Sequence, residues 1–383
     1  MQMSIYLDNA ATTRVCPEAA EAALNIMTND YGNPSSTHRL GRDAKKILDT
    51  SRATLSGAIG CAAEELYFTS CGSESDNWAI LCGAEYAARR GGRRHVVSSI
   101  AEHSAVLRSL DELERRGFTV TRLTPEKDGG ISTAAVLDAL RDDTCLVTLM
   151  AVNNETGAVT DIAGIAKAVR ERSPDILFHT DAVQAFLKVP LNVKTLGADL
   201  ITLSGHKIHA PKGVGALYIR KGLNLPPLIH GGGQEREKRA GTEALPLIAA
   251  FAAAVESYRA DAGAAERMRR LRAYAAERLR NEIPGLLVLG GGAPQILSLS
   301  LPGLRSEVLM NFLEARDIYV SKSSACKRGG RSYVLEAMGL PADVIDGAIR
   351  VSLSRFTTQE EIDAFCGALR DAAGSLRTSV RRR

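Results

Sequence analysis

The segment Ala198-Asp199-Leu200-Ile201-Thr202-Leu203-Ser204-Gly205-His206-Lys207 carries an apolar strand pattern straight into an amine. A lysine at the end of a buried strand is costly unless its charge is paired or removed, and a Schiff base removes it. A second apolar run, Ile176-Leu177-Phe178-His179-Thr180-Asp181, ends in a carboxylate. As neighbouring strands, the two runs would bring Lys207 and Asp181 to one sheet edge. Pyridoxal phosphate (PLP) needs that combination, an amine for its aldehyde and an acid for its ring nitrogen. Gln184, soon after Asp181, is then in reach of the ring hydroxyl.

A phosphate also needs donors. Ser70-Cys71-Gly72-Ser73-Glu74 precedes a helical pattern, and free N–H groups at a helix start bind anions. Cys71 in that loop reads as a small packing residue, with a thiol open to oxidation if a phosphate lies beside it. His103, in Ala-Glu-His-Ser-Ala-Val, follows a strand and is placed to stack on a cofactor ring and relay a proton. His206 and His209 have no third ligand at suitable spacing, so no metal site is expected.

Two further features concern a substrate. Cys326 sits in Ser321-Lys322-Ser323-Ser324-Ala325-Cys326-Lys327-Arg328-Gly329-Gly330-Arg331, a polar and basic stretch. Neighbouring cations favour the thiolate, so this cysteine reads as reactive. Cys16, Cys61, Cys82, Cys145 and Cys366 lie in apolar or helical contexts and read as packing. In Ile349-Arg350-Val351-Ser352-Leu353-Ser354-Arg355, period two puts Arg350 and Ser352 on one face and Arg355 opposite. Arg350 is the expected clamp for a substrate carboxylate.

The elements that must position these groups alternate in type. Strand patterns at Glu65–Thr69, His95–Ser99, Phe118–Thr121, Thr144–Val152 and Gly215–Ile219 join the two runs above. Helical spacing fills Ser75–Ala88, Ser104–Arg116, Thr133–Leu140 and Ile162–Glu171 between them. Alternation of this kind predicts an α/β fold with a mostly parallel sheet covered on both faces and ligands beyond the carboxyl ends of its strands. Leu245–Val255 reads as a buried helix, too short to cross a bilayer. Glu256–Arg280 reads as one long charged helix leading to a second domain, with strands near Gln295–Leu301 and Ile318–Val320 and a closing amphipathic helix, Glu360–Leu376.

Size and composition agree. A chain of 383 residues with 45% hydrophobic and 24% charged residues is an ordinary globular protein of about two domains. A net charge of +4 gives no reason to expect nucleic acid, and Arg381-Arg382-Arg383 reads as a solvated tail. Seven cysteines, irregularly spaced and without a C-x-x-C pair, argue against disulfides and structural zinc and fit a reducing cytoplasm. The pattern of a signal peptide is not seen at the N-terminus.

Taken in order, these motifs resemble the cysteine desulfurases of the NifS/IscS group, class V aminotransferase relatives of PLP fold type I. The resemblance runs from Tyr6-Leu7-Asp8-Asn9-Ala10-Ala11-Thr12-Thr13 through Tyr31-Gly32-Asn33-Pro34, Ser73-Glu74-Ser75-Asp76-Asn77, Glu102-His103 and Val152-Asn153-Asn154-Glu155-Thr156-Gly157. It continues through His179-Thr180-Asp181, Ser204-Gly205-His206-Lys207, Arg239-Ala240-Gly241-Thr242 and Ser323-Ser324-Ala325-Cys326 to Ile349-Arg350.

The resemblance implies a large PLP-binding domain over 16–257 with a seven-stranded sheet between helices. It also implies a smaller α+β domain from 1–15 and 258–383 carrying the cysteine. Lys207 would hold PLP covalently, Asp181 its ring nitrogen, and Asn154 and Gln184 its hydroxyl, with His103 stacked on the ring. Gly72, Ser73, Ser204 and His206 would hold the phosphate, joined by Thr242 from the other subunit of a homodimer. Asn33 and Arg350 would hold the carboxylate of L-cysteine. Lys207 would take the Cα proton, and the Cys326 thiolate would attack the substrate sulfur, keeping a persulfide and releasing alanine.

Two departures stand out: the segment after Cys326 is short and basic, and Cys71 replaces a usual glycine. The implied sulfur acceptor is an iron–sulfur scaffold, a tRNA-thiolation enzyme or another carrier. Rival readings are an aminotransferase or selenocysteine lyase on the same scaffold, and a non-catalytic interaction protein. Cys326 speaks against a transaminase; Lys207 together with Asp181 speaks against a protein without catalysis.

Overall fold

The computed structural model describes residues 4–322 and 330–381. After a short strand β1 (Ile5–Tyr6), the central sheet is built from β2 (Leu66–Thr69), β3 (His95–Ser99), β4 (Thr119–Leu123), β5 (Thr144–Thr148), β6 (Leu177–Asp181), β7 (Leu200–Ser204) and β8 (Gly215–Ile219). Their spatial order is β2-β8-β7-β6-β5-β3-β4. Only β8 runs against its neighbours; the other adjacent pairs are parallel.

Burial on both faces explains the apolar runs. Strands β3, β5, β6, β7 and β8 are buried at every position, so they lack the in–out alternation of a half-solvated sheet. Period two instead sends neighbours to different cores. Val97, Val147 and Phe178 join the main apolar cluster, and Val96, Leu146 and Leu177 pack on the opposite face against Ile80, Val106 and Leu110. The edge strand β4 is partly exposed, and its Arg122 is held by Glu114 and Asp111 of the preceding helix, which protects the edge.

A smaller antiparallel sheet follows, from β9 (Leu287–Leu289), β10 (Ile296–Ser300), β12 (Ser321–Lys322) and β13 (Ala348–Ser352), in the order β12-β13-β10-β9. Strand β11 (Ile318–Tyr319) pairs in parallel with β1, so the start of the chain lies beside its last third.

Two elements differ from expectation. The stretch Glu256–Arg280 is not one helix. A helix Leu245–Ala260 ends at Asp261, and a new one runs Ala264–Glu282. Asp261 turns its carboxylate onto Arg267, at 2.5 Å, and this local pairing stabilises the break. The helical segment expected from Ser75 begins earlier, at Gly72, and passes through a π turn, Trp78–Cys82. The indole of Trp78, fully buried there, donates to the Pro226 carbonyl at 2.9 Å.

Candidate active site

Strands β6 and β7 are neighbours in register, with Asp181 opposite Thr202. Asp181 ends β6, and Lys207 closes the single 3₁₀ turn after β7, Gly205–Lys207. Gly205 is closely packed: a Cβ would lie 3.0 Å from Ala210 and Val214, so those side chains would have to give way. Both functional groups reach one cavity of about 360 Å³ at the carboxyl edge of the parallel strands.

The Lys207 amine donates to the Ala10 and Ala11 carbonyls at 2.7 and 2.6 Å. Burial, and then the Arg350 guanidinium, bring it down to about 8, against the pull of Asp8 and Asp181. A large neutral fraction near physiological pH suits an amine that must act as nucleophile and base. Desolvation raises the Asp181 carboxyl, while His103 and Lys207 favour its anion. One Asp181 oxygen accepts the Val183 N–H at 2.9 Å.

Opposite the acid lies a cradle for an anion. Gly72 opens the continuous helical run that extends to Gly91, and a Cβ there would lie 2.9 Å from Val183 and 3.5 Å from Ser204. Ser73 and Ser204 line the same end; the Ser204 hydroxyl is buried and has no partner among the described residues. His206 contacts Thr12 at 3.2 Å and is lowered to about 3, by burial and then by Lys207, so its ring is neutral. The loop is braced from outside, where Arg239 holds Glu74 at 2.8 Å and Glu74 accepts the Ser70 N–H.

His103 caps the helix Ser104–Arg115, its Nδ1 accepting from Ala105 N–H at 3.2 Å. That bond leaves Nε2 to carry the proton. Gln184 is buried, donates to the Ala10 carbonyl at 2.9 Å and leaves Oε1 without a partner among the described residues. Arg350, buried on β13, donates to the Asn154 carbonyl at 2.8 Å and to Asp8 at 2.9 Å. Donors remain on the guanidinium, since five N–H groups are available.

The cavity thus gathers Lys207, Asp181, Gln184, Asn154, His103, Gly72, Ser73, Ser204, His206 and Arg350. Arg355 instead turns to Ser257, with bonds of 2.6 and 2.7 Å. Asn33 and Thr242 are exposed and are not in its lining. Cys326 lies outside the described residues. Asp76, Glu155 and Tyr333 also line the cavity and were not singled out from sequence, although the first two sit inside quoted motifs. Tyr333 donates to the Glu102 carbonyl at 2.7 Å across a long sequence separation that no local pattern signals. Cys71 lines the cavity and is half-buried; Cys16, Cys82, Cys145 and Cys366 are buried, and Cys61 is half-buried.

Residues 5–365 match the family model for class-V aminotransferases. The chain is 42% identical over 366 residues to the cysteine desulfurase IscS of Methanosarcina thermophila, covering 94% of this chain and 89% of the relative. Among solved structures, a NifS-like protein superposes with a TM-score of 0.89 at 35% identity, over 96% of this chain and 99% of that one. A structure described as SspA in complex with cysteine gives 0.81 at 33% identity, over 93% and 100%. The chain belongs to the class-V aminotransferase family. Within that family it falls in the NifS/IscS group of cysteine desulfurases.

PLP is the cofactor of this family, and the residues present fit it. An amine and a buried acid share the cavity. A glycine-floored helix start and Ser204 line the end suited to a phosphate, and among the described residues the Ser204 hydroxyl and the Gln184 Oε1 have no partner.

Proposed function

We propose that this enzyme removes sulfur from L-cysteine, giving L-alanine and a persulfide on Cys326 that passes to an acceptor. The observation that carries the reading is the meeting of Lys207, Asp181 and Arg350 in one cavity. Bound PLP supplies an electrophilic carbon and an electron sink. The chain supplies everything else. Asp181 holds the ring nitrogen, and Lys207, near neutrality, takes up and returns the substrate Cα proton. Arg350 fixes the substrate carboxylate by charge-assisted bonds. His103 would stack on the ring, its Nε2–H left free for proton transfer by the Nδ1 bond to Ala105. The Cys326 thiolate attacks the substrate sulfur; the C–S bond breaks and a proton completes the alanine methyl group.

Three finer readings accompany this one. The exposed Thr242 is supplied to the phosphate of a partner subunit, in a homodimer, and Asn33 joins Arg350 at the substrate carboxylate once the site is complete. The large domain spans 16–257 and the small one 1–15 with 258–383. The enzyme works in the cytoplasm with an iron–sulfur scaffold or tRNA-thiolation enzyme as acceptor. No helix among the described residues is long and apolar enough to cross a membrane.

The test is product analysis of the PLP-loaded enzyme with L-cysteine and a thiol reductant. Equal amounts of alanine and sulfide are expected. Amino transfer to a 2-oxo acid without sulfide would overturn the reading in favour of a transaminase.

A further inference from the structure

Asp76 enters the cavity from the first helical turn after Gly72 and is 1% exposed. It has no part in the proposed reaction. Its Oδ1 has no hydrogen-bond partner among the described residues. The groups that face it are Asp181 and His179 on β6, Thr202 on β7, Glu102 in the turn after β3, and Cys71 in the loop before its own helix. Each of these is anionic or neutral.

His179 is buried and lowered to about 3 by desolvation, so it adds no positive charge. Its Nδ1 meets Thr148 at 2.8 Å and its Nε2 meets Thr202 at 3.0 Å. Thr202 is the one of these groups that favours the Asp76 anion. The unpartnered Oδ1 is the place for a proton.

Asp76 and Asp181 are both buried in the lining of one cavity, and two buried carboxyls that feel each other's charge do not both ionise. Asp181 has His103 and Lys207 to favour its anion; Asp76 has no such help, and burial with the charge of Asp181 pushes it well up. We propose that Asp76 is a neutral carboxylic acid whose Oδ1–H positions Asp181 and keeps that carboxylate ionised for the cofactor's ring nitrogen. It is a positioning residue, acting through Asp181, and the inference rests on the assignment of Asp181 made above.

The test compares the wild type with Asp76→Asn, which keeps shape, neutrality and a donor, and Asp76→Leu, which keeps only the first two. In the apo-protein at neutral to mildly alkaline pH, infrared difference spectra should show a protonated-acid C=O band lost in Asp76→Asn. Equilibrium binding of PLP should change less than about threefold in Asp76→Asn and weaken about tenfold in Asp76→Leu, the worth of one hydrogen bond to a charged group. Absence of the band, wild-type binding by Asp76→Leu, or equal weakening in both variants would overturn the proposal. Failure of the wild type to hold PLP on Lys207 would instead overturn the site assignment, and the infrared result on the apo-protein stands apart from that.

Discussion

Arg350, which lines the cavity, and Asp8, from the opposite end of the chain, meet at 2.9 Å. Asp8 lies in the loop after β1, and its neighbours Ala10 and Ala11 offer the carbonyls that hold the Lys207 amine. The guanidinium proposed as the substrate clamp therefore also bears on the amine, through charge rather than contact.

Arg350→Lys should separate these roles. A lysine keeps the charge but loses the planar fork. Losing a charge-assisted bond of about 1.5–3 kcal/mol should raise KM for L-cysteine by about tenfold or more, with PLP content unchanged. Steady-state kinetics on the loaded variant check this. A KM like that of the wild type would place the clamp elsewhere.

The lowered Lys207 amine makes a prediction about cofactor uptake. Only the neutral amine attacks an aldehyde. Mixing apo-enzyme with PLP should give a rate that climbs about tenfold per pH unit well below 8 and levels off above it, since the amine loses its proton near 8. Stopped-flow absorbance follows this. Borohydride should fix the cofactor to the wild type and not to Lys207→Ala.

Glu155 bears on stability. It is buried, accepts from the Ser332 hydroxyl, and is raised to about 7 by desolvation, partly offset by Ser332 and Arg350. An acid whose folded pKa lies above its unfolded value contributes stability below about 4.5, and that contribution fades as pH rises through 7. Glu155→Gln should therefore gain on the wild type as pH climbs through this window, by about 1–3 kcal/mol at its upper end. Denaturant unfolding of the apo-proteins at acidic and at neutral pH measures the gap; a gap that does not widen contradicts the assignment.

The placement of polar groups at the strand ends was legible because it is local. A fully buried strand reads as an unbroken apolar run, and the polar residue that ends it must face the carboxyl edge of the sheet. Lys207 and Asp181 follow from that. Arg350 rather than Arg355 does line the cavity, but not through alternation: β13 ends at Ser352, and Arg355 lies in the turn beyond it, bonded to Ser257. Other features depend on distant partners. The break at Asp261 turns on an ion pair with Arg267 rather than on proline. Asp76 and Tyr333 gain meaning only when their helices are set against β6 and the Glu102 turn. Thr242 and Asn33, taken from the family pattern, lie outside the lining of the single chain's cavity. Whether a second copy completes the site is a property of an assembly, which local spacing does not encode.

The most direct measurement is mass spectrometry of the PLP-loaded enzyme after brief exposure to L-cysteine without reductant. The account predicts one additional sulfur on the peptide carrying Cys326, released by thiols, and none in Cys326→Ala despite full PLP content. Added sulfur on another cysteine, or undiminished sulfide release by Cys326→Ala, would contradict it.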